Sequence, residues 1–78
     1  MTRELWQIAK EIRRDWNNVY FGAEPYLKAM ESLRGIDDVY YDDSALSVVL
    51  YFLANAGTWR GEVARRVKKE LKAMVMPN

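Results

Sequence analysis

Cysteine and histidine are both missing from the 78 residues. Without cysteine there is neither a disulfide nor a thiolate metal site. Without histidine the usual general base near neutral pH and the commonest metal ligand are gone. Ser32, Ser44 and Ser47 therefore have no imidazole to activate them. The four glycines, Gly22, Gly35, Gly57 and Gly61, are scattered at segment ends and form no phosphate-binding loop. Long apolar runs are missing too. The longest, Ala45 to Ala54, is half of the roughly 20 residues a membrane-spanning helix needs. The opening MTRELWQIAK mixes charges into its apolar pattern, so no signal peptide is expected. These absences argue against an enzyme, a cofactor, a metal and a membrane partner. They fit a cytoplasmic setting.

What is present is half hydrophobic, ample for one small globular domain over residues 1–78. The net charge of +1 conceals a polarised layout. Residues 1–34 sum to +1, residues 35–57 to −4 and residues 58–78 to +4. Such asymmetry steers a charged partner or draws the two ends together within the fold.

The pattern reads as an all-α protein: a compact bundle of about four short helices packed around a central apolar helix at about 44–56. The first helix runs from Thr2, a plausible N-cap, to about Trp16. Leu5, Ile8, Ala9, Ile12 and Trp16 form its apolar stripe, with Trp6 to the side. Asn17 and Asn18 break it, and Val19-Tyr20-Phe21-Gly22 is expected to plug one end of the core. Pro25 restarts a short helix with Tyr26, Leu27, Met30 and Leu33 inward and Gly35 at its end; Glu31 and Arg34 are spaced to pair.

Residues 36–43, IDDVYYDD, are expected to form a loop whose Asp42 and Asp43, with Ser44, cap the central helix. In SALSVVLYFLANAG no residue is charged and apolar residues point every way, as in a helix surrounded by others. Val48, Val49, Tyr51 and Phe52 also suit a strand, but the length of the run and the Asn55-Ala56-Gly57 stop favour a helix. Leu50 and Phe52 are both expected in the core. Thr58 is expected to cap a last helix reaching about Met74, with Trp59, Val63, Ala64, Val67, Leu71 and Met74 inward. Glu62–Arg66 and Arg66–Glu70 are spaced as outer ion pairs; Gly61 suggests a close helix crossing, and Pro77 closes the segment. An alternative places the last two helices in a tight corner at 55–58, with the first two closing over it.

Three constellations bear on function. Asp37, Asp38, Asp42 and Asp43 are hard oxygen donors, yet they lack the glycine and terminal glutamate of a calcium loop. They read as a solvated, helix-capping loop. Arg60, Arg65, Arg66, Lys68, Lys69 and Lys72 on the last helix can contact phosphates, although Glu62 and Glu70 interrupt them and they spread around the polar face. Ten aromatics exceed what so small a core readily hides. Most are expected inside, with Trp6, Tyr40 and Tyr41 left to face a partner.

The strings ELWQIAKEIRRDW, YFGAEPYLKAM and YFLANAGTWRGEVARRVKKELKAM resemble small proteins encoded by phages and prophages of actinobacteria. The resemblance implies a phage origin and a host-cell cytoplasm, and it brings no catalytic motif. The expected function is a non-enzymatic protein–protein interaction module modulating a host or phage protein, or pairing with its own copy. One alternative is a nucleic-acid-binding regulator using the basic last helix. A second is a structural or assembly component of the virion.

Overall fold

A computed structural model describes residues 2–76. Pro77 lies outside that range. Four helices, α1 (Leu5–Asp15), α2 (Glu24–Met30), α3 (Ala45–Ala54) and α4 (Glu62–Val75), enclose one core. A two-stranded antiparallel ribbon, β1 (Val39–Tyr40) and β2 (Asp43–Ser44), stands before α3. The protein is thus mostly helical but not all-α.

Helix α1 forms where its stripe predicts. Leu5, Ile8, Ala9 and Ile12 are buried, and Trp16 follows just past the helix end. Its N-cap is Glu4, not Thr2. Glu4 and Gln7 form a reciprocal capping box, so the glutamate takes the role read for the threonine. Two further free N–H groups of that first turn, on Leu5 and Trp6, donate to the carbonyls of Arg34 and Leu33 at 2.7 and 3.0 Å. The chain leaving α2 thus completes the start of α1, which answers the general need of helix ends for outside partners.

Pro25 stands in the first turn of α2, as expected. The helix stops at Met30 rather than at Gly35. Leu27, Met30 and Leu33 are buried, and Tyr26 is half-buried. Glu31 bonds to Arg13 of α1 and not to Arg34, because crossing to α1 lets Arg13 serve Glu24 and Glu31 together. The plug expected at residues 19–22 is only partial: Val19 packs against the core, but Phe21 is 80% exposed.

The acidic segment is structured, which is where the loop expectation fails. Val39 pairs with Ser44 and Tyr40 with Asp43 around a two-residue turn. Tyr41 in that turn has φ 55°, the left-handed region. Two-residue strands leave no alternation in the sequence long enough to read. Asp38 anchors the ribbon by accepting from the N–H groups of Val39 and Arg34 at 2.9 and 3.2 Å. These bonds hold its carboxyl below the usual range.

Ser44 caps α3, its Oγ accepting from the Ser47 N–H at 3.1 Å. The helix is amphipathic by exposure even though it carries no charge and Ser47 is its one polar side chain. Ala45, Val48, Val49 and Phe52 are buried, whereas Leu46, Leu50 and Tyr51 are 40%, 44% and 54% exposed. The expectation of a surrounded helix, with Leu50 in the core, is therefore corrected. Helices α2 and α4 and the strand β2, the elements that pack against α3, are too few to wrap it completely.

Gly61, not Thr58, precedes the first residue of α4. Its φ of 113° with ψ −177° belongs to backbone that only glycine adopts readily. Among the described residues, and apart from its two chain neighbours, no residue has an atom within 4 Å of where a Cβ would stand. The close crossing expected there is replaced by a backbone requirement. Trp59 consequently lies in the connector, where it is buried, stacks on Trp16 at 5.7 Å and meets Phe52 edge-on at 6.4 Å. Its Nε1 donates to Asp15 Oδ2 at 2.8 Å. That bond satisfies the indole's polar atom and ties the connector to the end of α1.

Candidate functional site

Two surfaces stand out, and they lie on successive helices. The first is the outer face of α3. Leu46, Leu50 and Ala54 recur every four residues along it, and Tyr51 lies beside them, all exposed. Tyr51 stacks on Tyr26 of α2 at 5.4 Å, which extends the face sideways. Tyr20 lines a shallow recess with Ala54, Asn55 and Gly57 at the helix end and packs on Phe21 at 4.8 Å. At the other end, Val39 and Tyr41 of the ribbon are 61% and 85% exposed. From Ser44 to Gly57 there is no charge to interrupt this surface. Apolar patches of this kind on small proteins mark contact sites.

The second surface is α4. Its cations divide according to which side of the helix they occupy. Arg66 faces α1 and bonds to Glu11. Glu70 is held by Arg3 through two bonds, 3.1 and 2.6 Å long. Arg3 Nη1 also stands 2.8 Å from Glu11 Oε1, an ion contact without hydrogen-bond alignment. Arg3, Glu11, Arg66 and Glu70 thus form one chain of alternating charge across the α1–α4 seam. The Arg66 bond, with help from Arg3, holds the Glu11 carboxyl below its usual range.

Arg65, Lys69 and Lys72 occupy the opposite edge at i, i+4 and i+7, with Arg60 in the connector before them. Among the described residues none of these four takes part in an ion pair. Lys68 lies alongside but is turned inward. Its Nζ donates to the carbonyls of Ala56 and Trp59, both at 2.7 Å, and stands over the Trp59 ring at 5.8 Å. Burial, followed by the charges of Lys72 and Arg60, lowers its pKa. Lys68 therefore fastens the connector to α4 and is not a free surface cation.

The structure treats the sequence-derived candidates unequally. Of the six cations, Arg65, Lys69 and Lys72 share one edge of α4 by their spacing, with Arg60 before them in the connector. Arg66 and Lys68 leave the group because each has a partner within the fold. Trp6 is 38% exposed on α1, its Nε1 bonded to Glu4 and Lys10 above its ring. Tyr40 packs against the core, and Tyr41 alone of that pair faces solvent. Reading the sequence missed Leu46, Leu50 and Tyr51. The needed signal was faint: the spacing of Ala45, Val48, Val49 and Phe52 marks one inner face only once their burial is known.

Among the described residues no group of three or more acidic side chains is gathered as a metal site, and no helix is long and apolar enough to cross a membrane. Comparison with protein-family models, with curated proteins and with solved structures gives no significant match.

Proposed function

We propose that this is a small non-enzymatic interaction module that binds another protein through the outer face of α3. The observation that carries the reading is the exposure of Leu46, Leu50 and Tyr51 in the middle of a stretch without charge. Leaving a half-exposed leucine pair and a tyrosine on a helix forgoes burial worth about 1.5–3 kcal/mol for each large side chain fully covered. A partner surface that is itself apolar and uncharged at its centre recovers that burial. Tyr41, Tyr20 and Phe21 at the two ends supply aromatic anchors of the type that dominates interface energetics. The side-chain chemistry gives no competing catalytic reading, since neither histidine nor cysteine is present. A phage or prophage setting, and with it action in a host cytoplasm, rests on the resemblance of the sequence strings alone.

The test compares the unaltered protein with Leu50→Glu and Leu46→Glu. Sedimentation over a wide concentration range detects self-association, and affinity capture from a bacterial lysate detects a second protein. The expected result is that one or other association occurs and that each glutamate abolishes it while the melting temperature stays unchanged. A strictly monomeric protein that retains no partner overturns the proposal. So does an association that both glutamates leave intact.

A further inference from the structure

We propose that the free basic edge of α4 binds the phosphodiester backbone of nucleic acid without regard to sequence. This site is separate from the α3 face. Arg65, Lys69 and Lys72 share one edge over about 10 Å of helix, and Arg60 extends the row from the connector. Among the described residues Lys10, Arg14, Lys28 and Arg34 stand, like this row, in no ion pair, while other cations are engaged. Arg3, Arg13 and Arg66 are all engaged by glutamates, and Arg3 and Arg13 each hold two. Of the two α4 carboxylates, Glu70 faces α1 and is held by Arg3, and Glu62, three residues before Arg65, makes no ion pair with the row among the described residues. Four like charges remain beside Lys68, whose pKa is lowered first by burial and then by Lys72 and Arg60. Mutual repulsion in such a row is relieved by an anion that offers charges at regular spacing.

The same edge argues against an acidic protein as the occupant. Protein interfaces need an apolar centre inside the polar rim. On α4 no large apolar side chain is exposed before Met76, which lies beyond the helix end. A phosphate backbone needs no such centre, because release of condensed counterions drives its binding. Asparagine and glutamine, the amide side chains that read adenine, are absent from α4, and the proposal assigns its arginines and lysines to phosphates and not to guanine edges.

The test is fluorescence anisotropy of a labelled DNA duplex of arbitrary sequence, titrated with the full chain at two salt concentrations. Four phosphate contacts give a slope of log affinity on log salt of about −3.6, a loss of about 10²-fold between about 50 and 200 mM salt. The Lys69→Gln/Lys72→Gln protein should lower the magnitude of that slope by about 2, since each lysine contributes about 1. The Arg14→Gln/Lys28→Gln protein loses the same charge elsewhere on the surface and should bind as the unaltered chain does. Circular dichroism melting confirms that both doubles are folded. Absence of binding at the lower salt overturns the proposal. Equal losses in the two doubles also overturn it, because attraction would then follow net charge alone. Displacement of the duplex by polyglutamate at matched charge overturns the nucleic-acid assignment in favour of an acidic protein.

Discussion

Helix α3 turns Leu46, Leu50 and Tyr51 toward solvent, whereas α4 turns Arg65, Lys69 and Lys72. Both bury an inner stripe against the same core, in which Trp16, Phe52 and Trp59 meet. Their outer faces differ in how they are held. Helix α4 is fixed to α1 by the Glu70–Arg3–Glu11–Arg66 chain and to its own connector by Lys68. No charged side chain belongs to α3, so packing of its inner face and the Ser44 cap secure it. A helix held from one side only is free to present an apolar surface on the other. A helix bound by ion pairs along one seam is left with surplus cations along the far edge.

The contrast within α3 gives the largest expected effect. Phe52→Ala empties a fully buried site at the aromatic cluster and should cost about 3–5 kcal/mol. In a domain of this size that lowers the melting temperature by more than about 12 °C. Leu50→Ala, two residues earlier and half-exposed, should cost under about 1 kcal/mol. Equal losses in the two melts would erase the distinction between inner and outer face.

The starts of the two helices offer the next comparison. Gly61→Ala forces a side chain onto backbone at φ 113° and should cost about 1–3 kcal/mol, although nothing stands in the way of the new methyl. Ser44→Ala removes one side-chain cap and should cost about 1 kcal/mol. Urea midpoints distinguish them. An innocuous Gly61→Ala would show that the turn into α4 has another conformation.

Acid sharpens the comparison from the side of α4. The Glu11 carboxyl is held low by Arg66 and Arg3, and that of Glu24 by Arg13. Each stabilises the fold fully above its ordinary value of 4.5 and loses that contribution as pH falls through the lowered value. Melting temperature should therefore decline below about pH 4.5, and Glu11→Gln should flatten part of the decline. A decline of unchanged steepness in Glu11→Gln would remove the seam as its source.

The smallest effect is expected in the ribbon. Tyr41→Gly relieves a left-handed residue that is 85% exposed. It also gives up the edge contact with Tyr40, leaving a gain of under about 1 kcal/mol. A lower urea midpoint would mean that the aromatic pair outweighs the strain.

Much of the fold is legible in the residue order. The stripe of α1, the proline start of α2, the Ser44 cap and the stop at Asn55 all follow from local chemistry, and local chemistry is what sequence spacing records. The two-residue strands escaped because they are shorter than any periodicity. At Gly61 a close crossing is expected and an unusual φ is found, because a gap in side-chain volume and a need for unusual φ look identical in a sequence. The candidate surfaces were half legible. The α4 cations could be counted, but their sorting into paired and free depended on which helix packs along each side.

By itself, then, the sequence determined four helical segments, the absence of histidine and cysteine chemistry, an uncharged middle and a basic end. Those are properties of composition and of short-range spacing. The tertiary structure alone decided that one side of the middle helix remains uncovered. It also decided that Arg66 and Glu70 meet partners on the α1 side while Arg65, Lys69 and Lys72 meet none among the described residues. Both outcomes depend on side chains far apart in the chain, Arg3 and Glu70 above all, whose meeting is set by packing and not by local order.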